Sequence, residues 1–220
     1  MRDEDAPTLG VMHTRDFTLD QIRAALQRPL PGLAAQIRLA PEYRLASLRA
    51  DPPADARRAG VLILLYPHGG EWRFPLMKRV EDGLVHSGQI SLPGGSQENG
   101  ESLRDTALRE ACEEIGAPCA EVDVLGELTT IYIPPSNFLV TPTVGCVNAR
   151  PDFRCDPREV AELIEVPLRM LFDPAVIRRE PWTLRGAEVE VPFYQIGPHK
   201  VWGATAMILS EFSMALKREA

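Results

Sequence analysis

No run of roughly 18 apolar residues occurs anywhere in the 220-residue chain, so a membrane-spanning helix is not expected. The acidic opening, MRDEDAPTLG, also lacks the basic and apolar regions of a secretory signal. Cysteine is scarce. Cys112, Cys119, Cys146 and Cys155 contain no C-x-x-C pair, which argues against a disulfide framework or zinc site and for reduced packing residues in a cytoplasmic protein. There is no excess of basic residues either: 24 Lys and Arg face 31 Asp and Glu, and a net charge of −7 excludes nonspecific nucleic-acid binding from the expected roles. Internal repeats and low-complexity tracts are absent. What remains is 45% hydrophobic, enough for one well-packed domain with a short appendage.

The most informative stretch is Gly95 to Ala117, GSQENGESLRDTALREACEEIGA. Leu103, Ala107, Ala111 and Ile115 recur every fourth residue and predict a helix with one apolar stripe. Gly116 supplies a left-handed stop and Pro118 prevents continuation. Glu110, Glu113 and Glu114 then fall at i, i+3 and i+4 on one face, near a helix C-terminus where the dipole disfavours anions. Folding alone would not choose that arrangement, and three glutamates on a helix are ordinarily a solvated face. A hard divalent cation, Mg2+ or Mn2+, would justify it by taking carboxylate oxygens and bridging them to phosphates.

The spacing G-x5-E-x7-R-E-U-x-E-E-x-G-U, with U aliphatic, is met at Gly95, Glu101, Arg109, Glu110, Ala111, Glu113, Glu114, Gly116 and Ala117. It resembles the box of the Nudix hydrolase family, a match expected by chance about once in 10^8 windows. The resemblance implies an α/β fold, the Nudix-type α/β/α sandwich with a mixed central sheet. It also implies metal ligation by Glu110, Glu113, Glu114 and the Gly95 carbonyl. Arg109 is implied to orient a neighbouring carboxylate, with Glu101 bracing the loop or joining the metal shell through water. Glu113 or Glu114 would be the general base; Glu159 and Glu162 are alternatives, since several members draw that glutamate from downstream.

Along the chain, Thr18 and Gln21 form a capping box for a helix over 18–28 that Pro29 ends. Residues 49–60 read as a loop, which sets the expected division into an N-terminal helical extension and linker, 1–59, and a hydrolase domain, 60–220. The run VLILLY at 61–66 predicts a buried strand, and Trp72–Arg79 its hairpin return. Strands are expected over 122–133, 138–147 and 160–166, and a hairpin at 182–193. Pro167 to Phe172 reads as one helical turn, and a closing helix runs over 204–218.

Upstream of the box, Leu76, Arg79, Gly88, Pro93, Gly94 and Gly95 fall in register with the extra motif of the coenzyme A diphosphatase branch, L-L-T-x-R-S/A-x3-R-x3-G-x3-F-P-G-G. Pro75, Met77, Val80, Leu84 and Leu92 depart from it, and Leu84 removes one phosphate-facing arginine. The segments HSGQ (86–89), YIPPSNFLVTPTVG (132–145) and WGAT (202–205) are similar to that branch as well. Arg79, His86, Gln89, Ser136 and Asn137 are therefore the substrate-binding candidates, although turn chemistry accounts equally well for the last two.

The resemblance implies metal-dependent hydrolysis of the diphosphate of coenzyme A or acyl-coenzyme A, giving (acyl-)4'-phosphopantetheine and adenosine 3',5'-bisphosphate. One alternative is a general diphosphatase of ADP-ribose, NADH or dinucleoside polyphosphates. Another is a ligand-sensing module without catalysis, though such proteins commonly lose box carboxylates. The expected partner is a small nucleotide, with a homodimer as the prior for assembly.

Overall fold

The computed structural model describes residues 17–81, 83, 87–184 and 186–217. Its elements in chain order are α1 (Leu19–Gln27), α2 (Leu33–Gln36), α3 (Leu45–Arg49), β1 (Arg57–His68), β2 (Glu71–Arg79), β3 (Ile90–Ser91), β4 (Gly94–Ser96) and α4 (Leu103–Ile115). There follow β5 (Asp123–Glu127), β6 (Ile131–Ile133), β7 (Phe138–Cys146), β8 (Val160–Pro167), β9 (Ile177–Leu184), β10 (Ala187–Ile196), β11 (His199–Trp202) and α5 (Gly203–Lys217).

β1 organises the rest because its apolar run is buried on both faces. Leu62, Leu64 and Tyr66 point into a cluster with Ala107, Ala111 and Ile115 of α4. Ile63 and Leu65 point the other way, into the larger cluster that holds Met207, Ile208 and Phe212 of α5 and Ile22 and Leu26 of α1. A strand read from both sides has no polar face, which is why its sequence does not alternate. The result is an α/β/α sandwich around a mixed sheet. β1 pairs parallel with β7 over Arg57–Leu65, and every other pairing in that sheet is antiparallel. The core order is β3-β2-β1-β7-β5, with β4 on β1, β6 on β7 and β8 on β2; β9, β10 and β11 form a separate three-stranded sheet.

The capping box at Thr18 and Gln21 is present and starts α1. β1 begins at Arg57, three residues before the boundary expected at 60. The single strand expected over 122–133 is two, β5 and β6, because the backbone N–H of Thr129 between them turns to donate to buried Glu211 at 3.2 Å. β11, α2 and α3 had no clear signal in the sequence. The four cysteines are free thiols. No helix among the described residues is long and apolar enough to cross a membrane.

Residues ahead of β1 pack into the same core. Glu211, fully buried on α5, accepts from Gly32 N (3.1 Å), Gln36 Nε2 (2.9 Å) and Thr129 N (3.2 Å). One carboxylate thus ties the N-terminal segment, the β5–β6 connection and the closing helix together. Hydrogen bonds to a charged acceptor compensate its burial.

Candidate active site

α4 forms where its stripe predicts. Ser102 caps it by accepting from Asp105 N at 3.1 Å. Gly116 ends it in the left-handed region (φ 66°), and Ala117 N reaches back to Ala111 O at 3.2 Å. The helix lies along β1 and β4, so its last two turns face the Gly94–Gly95 corner. The approach is close: a Cβ on Gly95 would lie 2.4–2.6 Å from the Glu110 carboxyl atoms, so that carboxyl would have to shift.

Glu114 is only 2% exposed. It accepts from Gly94 N at 2.8 Å and from Arg79 Nη1 at 3.4 Å. Burial pushes its carboxyl up to about 8, and the negative charges of Glu110 and Glu159 add to that rise against the pull of Gly94 N–H and Arg79. Glu110 is raised as well, first by burial, with Glu113 and Glu159 adding repulsion and Arg109 opposing it.

Arg109 gathers the other carboxylates. It donates to Glu101 through Nε (2.7 Å) and Nη2 (3.2 Å), to Glu110 (2.9 Å) and Glu113 (3.1 Å) through Nη1, and to Ser96 O (3.1 Å). These partners hold the guanidinium above its ordinary value. The Arg109 bond holds Glu101 down at about 2, helped by Glu98 N–H and the Thr106 hydroxyl. Glu101 therefore braces the loop into α4.

The three box glutamates do not converge. Glu113 pairs with Arg109 and its side chain is 57% exposed, whereas Glu110 and Glu114 line a cleft of about 1090 Å³ with Glu159. Among the described residues no three His, Cys, Asp or Glu side chains stand ready-grouped to hold a metal ion. Like charges at this spacing repel, and Glu110 and Glu114, at i and i+4, share a helix face from which Glu113 is turned away. The donor set at the corner still suits a hard divalent cation. It consists of two carboxylates raised by burial and mutual repulsion, a third on the rim, and backbone at Gly95 with no side chain in the way.

Of the substrate-binding candidates, Arg79, Gln89 and Ser136 line this cleft. Arg79 also approaches Glu159 at 4.0 Å. Asn137 does not line it. Its φ of 54° and its bonds to Tyr132 Oη (2.9 Å) and to Asp55 (3.4 Å) make it a turn residue. Glu162 lies outside the lining too, paired with His199 at 3.1 Å. His86 falls outside the described residues, as do Leu84, Arg185 and Arg218.

Trp202, Gly203, Ala204 and Thr205 all line the cleft, as do Leu184, Val189, Phe138, Tyr43, Arg44 and Arg57. The WGAT segment carried a sequence signal. Tyr43, Arg44 and Arg57 carried none, because nothing local distinguishes them from other residues of a proline- and arginine-rich connection.

Residues 56–185 match the family model for the NUDIX domain, from just before β1 to just after β9. The uncharacterised Nudix hydrolase NudL of Pectobacterium atrosepticum is 35% identical over 190 residues, covering 82% of this chain and 90% of that protein. The protein of the same name from Photorhabdus laumondii is 35% identical over 133 residues, covering 60% and 71%. Among solved structures, the Nudix hydrolase RenU of M. smegmatis superposes with a TM-score of 0.46 at 24% identity, covering 54% of this chain and 74% of that one. A MutT/nudix family protein from Enterococcus faecalis covers 93% and 73%, with a TM-score of 0.45 at 14% identity.

Proposed function

Because the chain belongs to the Nudix family, we propose that it is a divalent-metal-dependent diphosphatase that hydrolyses coenzyme A or acyl-coenzyme A. As a Nudix hydrolase it acts on a nucleoside-diphosphate-linked substrate; the coenzyme A assignment is the finer step. Water adds across the P–O–P bridge, releasing (acyl-)4'-phosphopantetheine and adenosine 3',5'-bisphosphate. The observation that carries this reading is the cleft itself. The upstream Arg79, the Gly94–Gly95 corner, the carboxylates Glu110 and Glu114 and the downstream WGAT segment, separated in sequence, line one cavity.

Glu110, Glu114 and the Gly95 carbonyl would hold Mg2+ or Mn2+. A divalent cation bound there would supply charge neutralisation of the diphosphate oxygens and activation of water. The chain's own residues supply the positioning. Gly94 N–H and Arg79 fix the Glu114 carboxylate, and Arg109 holds Glu110 and Glu101 in place. Arg79, shared between Glu114 and Glu159 on the cleft wall, is placed to meet a phosphate oxygen. Glu159 is the remaining carboxylate on the lining and the candidate proton acceptor; Glu113, engaged by Arg109, is not on it.

The test is hydrolysis of coenzyme A, acetyl-coenzyme A, ADP-ribose, NADH and diadenosine tetraphosphate by the purified protein with Mg2+ or Mn2+. The expected result is the highest kcat/KM on a coenzyme A compound. A hundredfold preference for any of the others would end the coenzyme A assignment and leave the Nudix diphosphatase chemistry standing.

A further inference from the structure

The cleft has a second polar end, remote from the carboxylates. Along β1, Arg57, Ala59 and Val61 occupy alternate positions and all three line the cavity. Gly60 and Val61 pair with Gly95 and Gly94, so that register marks the carboxylate corner. Arg57 lies three residues earlier, about 10 Å along the strand from Gly60. Its partner in the parallel register is Phe138, which also lines the cleft.

At that end the Arg57 guanidinium sits 4.0 Å over the Phe138 ring, and its Nη2 donates to Ser136 O at 2.9 Å. Among the described residues no carboxylate pairs with it; all three acidic residues of the lining, Glu110, Glu114 and Glu159, belong to the other end. An arginine stacked on an aromatic face and held by one carbonyl keeps donors for an anion, and its fork geometry suits a phosphate. Also on the lining is Tyr43, at 48% exposure the only large hydrophobic side chain left exposed among the described residues. An exposed aromatic in a cavity wall is a stacking surface for a nucleobase.

We propose that Arg57 is a specificity-determining residue that binds a second phosphate, carried on the ribose of the substrate's nucleotide half, with Tyr43 of the same lining for the base. The inference rests on the coenzyme A reading above and adds to it the group by which this chain would tell a 3'-phosphorylated adenosine diphosphate from an unphosphorylated one. Tyr43 lies outside the segment that matches the family model, whereas Arg57 lies just inside its edge.

The test compares coenzyme A with 3'-dephospho-coenzyme A in wild type, Arg57→Gln and Arg57→Lys. For Arg57→Gln, kcat/KM on coenzyme A is expected to fall by about tenfold to a hundredfold, the loss of one charge-assisted contact. Turnover of the dephosphorylated substrate should stay within about twofold, and Arg57→Lys should retain part of the discrimination. Calorimetric titration of the same proteins with adenosine 3',5'-bisphosphate and with AMP gives an independent readout: only the former should weaken in Arg57→Gln. An equal loss on both substrates would make Arg57 a merely structural prop of the 134–138 turn and overturn the proposal. Equal turnover of both substrates by the wild type would overturn it too. In both cases coenzyme A remains a substrate and the functional reading survives. If the wild type cleaves neither compound, that reading falls and the inference with it.

Discussion

Glu114 is the most deeply buried carboxylate on the cleft lining. Glu114→Gln is expected to cut turnover by at least about a hundredfold in a steady-state assay. Its pH behaviour follows from the raised value of about 8 against an ordinary 4.5. A carboxyl raised in the folded state contributes stability that is complete below about 4.5 and is lost as pH climbs through 8. At about 1.4 kcal/mol per pK unit the loss amounts to a few kcal/mol. The metal-free protein should therefore have a lower Tm at pH 8 than at pH 5.5. Mg2+ should raise the Tm more at the higher pH, and Glu114→Gln should flatten the difference. Glu101 behaves oppositely: held at about 2, it stabilises above about 4.5 and its share is lost as pH falls towards 2. A metal-free Tm that rises between pH 5.5 and 8 would contradict the burial argument.

At the scale of elements, the site depends on how close α4 comes to β4. Gly95→Ala tests that approach, since the added Cβ would meet the Glu110 carboxyl at 2.4–2.6 Å while α4 itself keeps its cap and stripe. The expected result is a loss of kcat of about a hundredfold, the scale of a small misplacement, with circular dichroism little changed. Activity within twofold of wild type would show that Glu110 has no fixed role. The helix was legible in the sequence from Leu103 to Ile115, because its stripe and its Gly116 stop are local; its Ser102 cap was seen only in the structure. β1 was legible too, though it runs from Arg57 to His68 and is longer than its apolar run, because pairing with β7 and β2 extends it through polar residues. α2, α3 and β11 were not, being four or five residues long and held by neighbours rather than by propensity. Within the site, the sequence named the residues of the box and Arg79. It left Asn137 open between a ligand contact and a turn, and the turn that Asn137 builds with Tyr132 and Asp55 claims its side chain.

At the scale of the molecule, the segments before β1 and after β9 complete the cleft, and Glu211 fastens them. Glu211→Ala would leave Gly32 N, Thr129 N and Gln36 Nε2 without their acceptor in a buried position. A destabilisation of about 3 kcal/mol or more is expected in urea unfolding, because each buried unpaired donor costs on the order of 1–3 kcal/mol. A change below about 1 kcal/mol would mean that water takes over these donors and that the clamp is dispensable.

By itself the sequence determined the family, the α/β class and the helix that bears the carboxylates, since all of these depend on spacing along a few turns of chain. Tertiary structure decided which carboxylates share a cavity. Glu110, Glu114 and Glu159 do, whereas Glu113, 57% exposed, and Glu162, paired with His199, lie outside it. It also decided what stands at the cavity's other end, where Arg57 and Phe138, some eighty residues apart, meet because β1 pairs in parallel with β7, and it brought Tyr43 of the N-terminal segment onto the same lining. Spacing encodes what a helix or strand will do with its own neighbours; which distant charges end up facing one another depends on packing, and no local pattern records it.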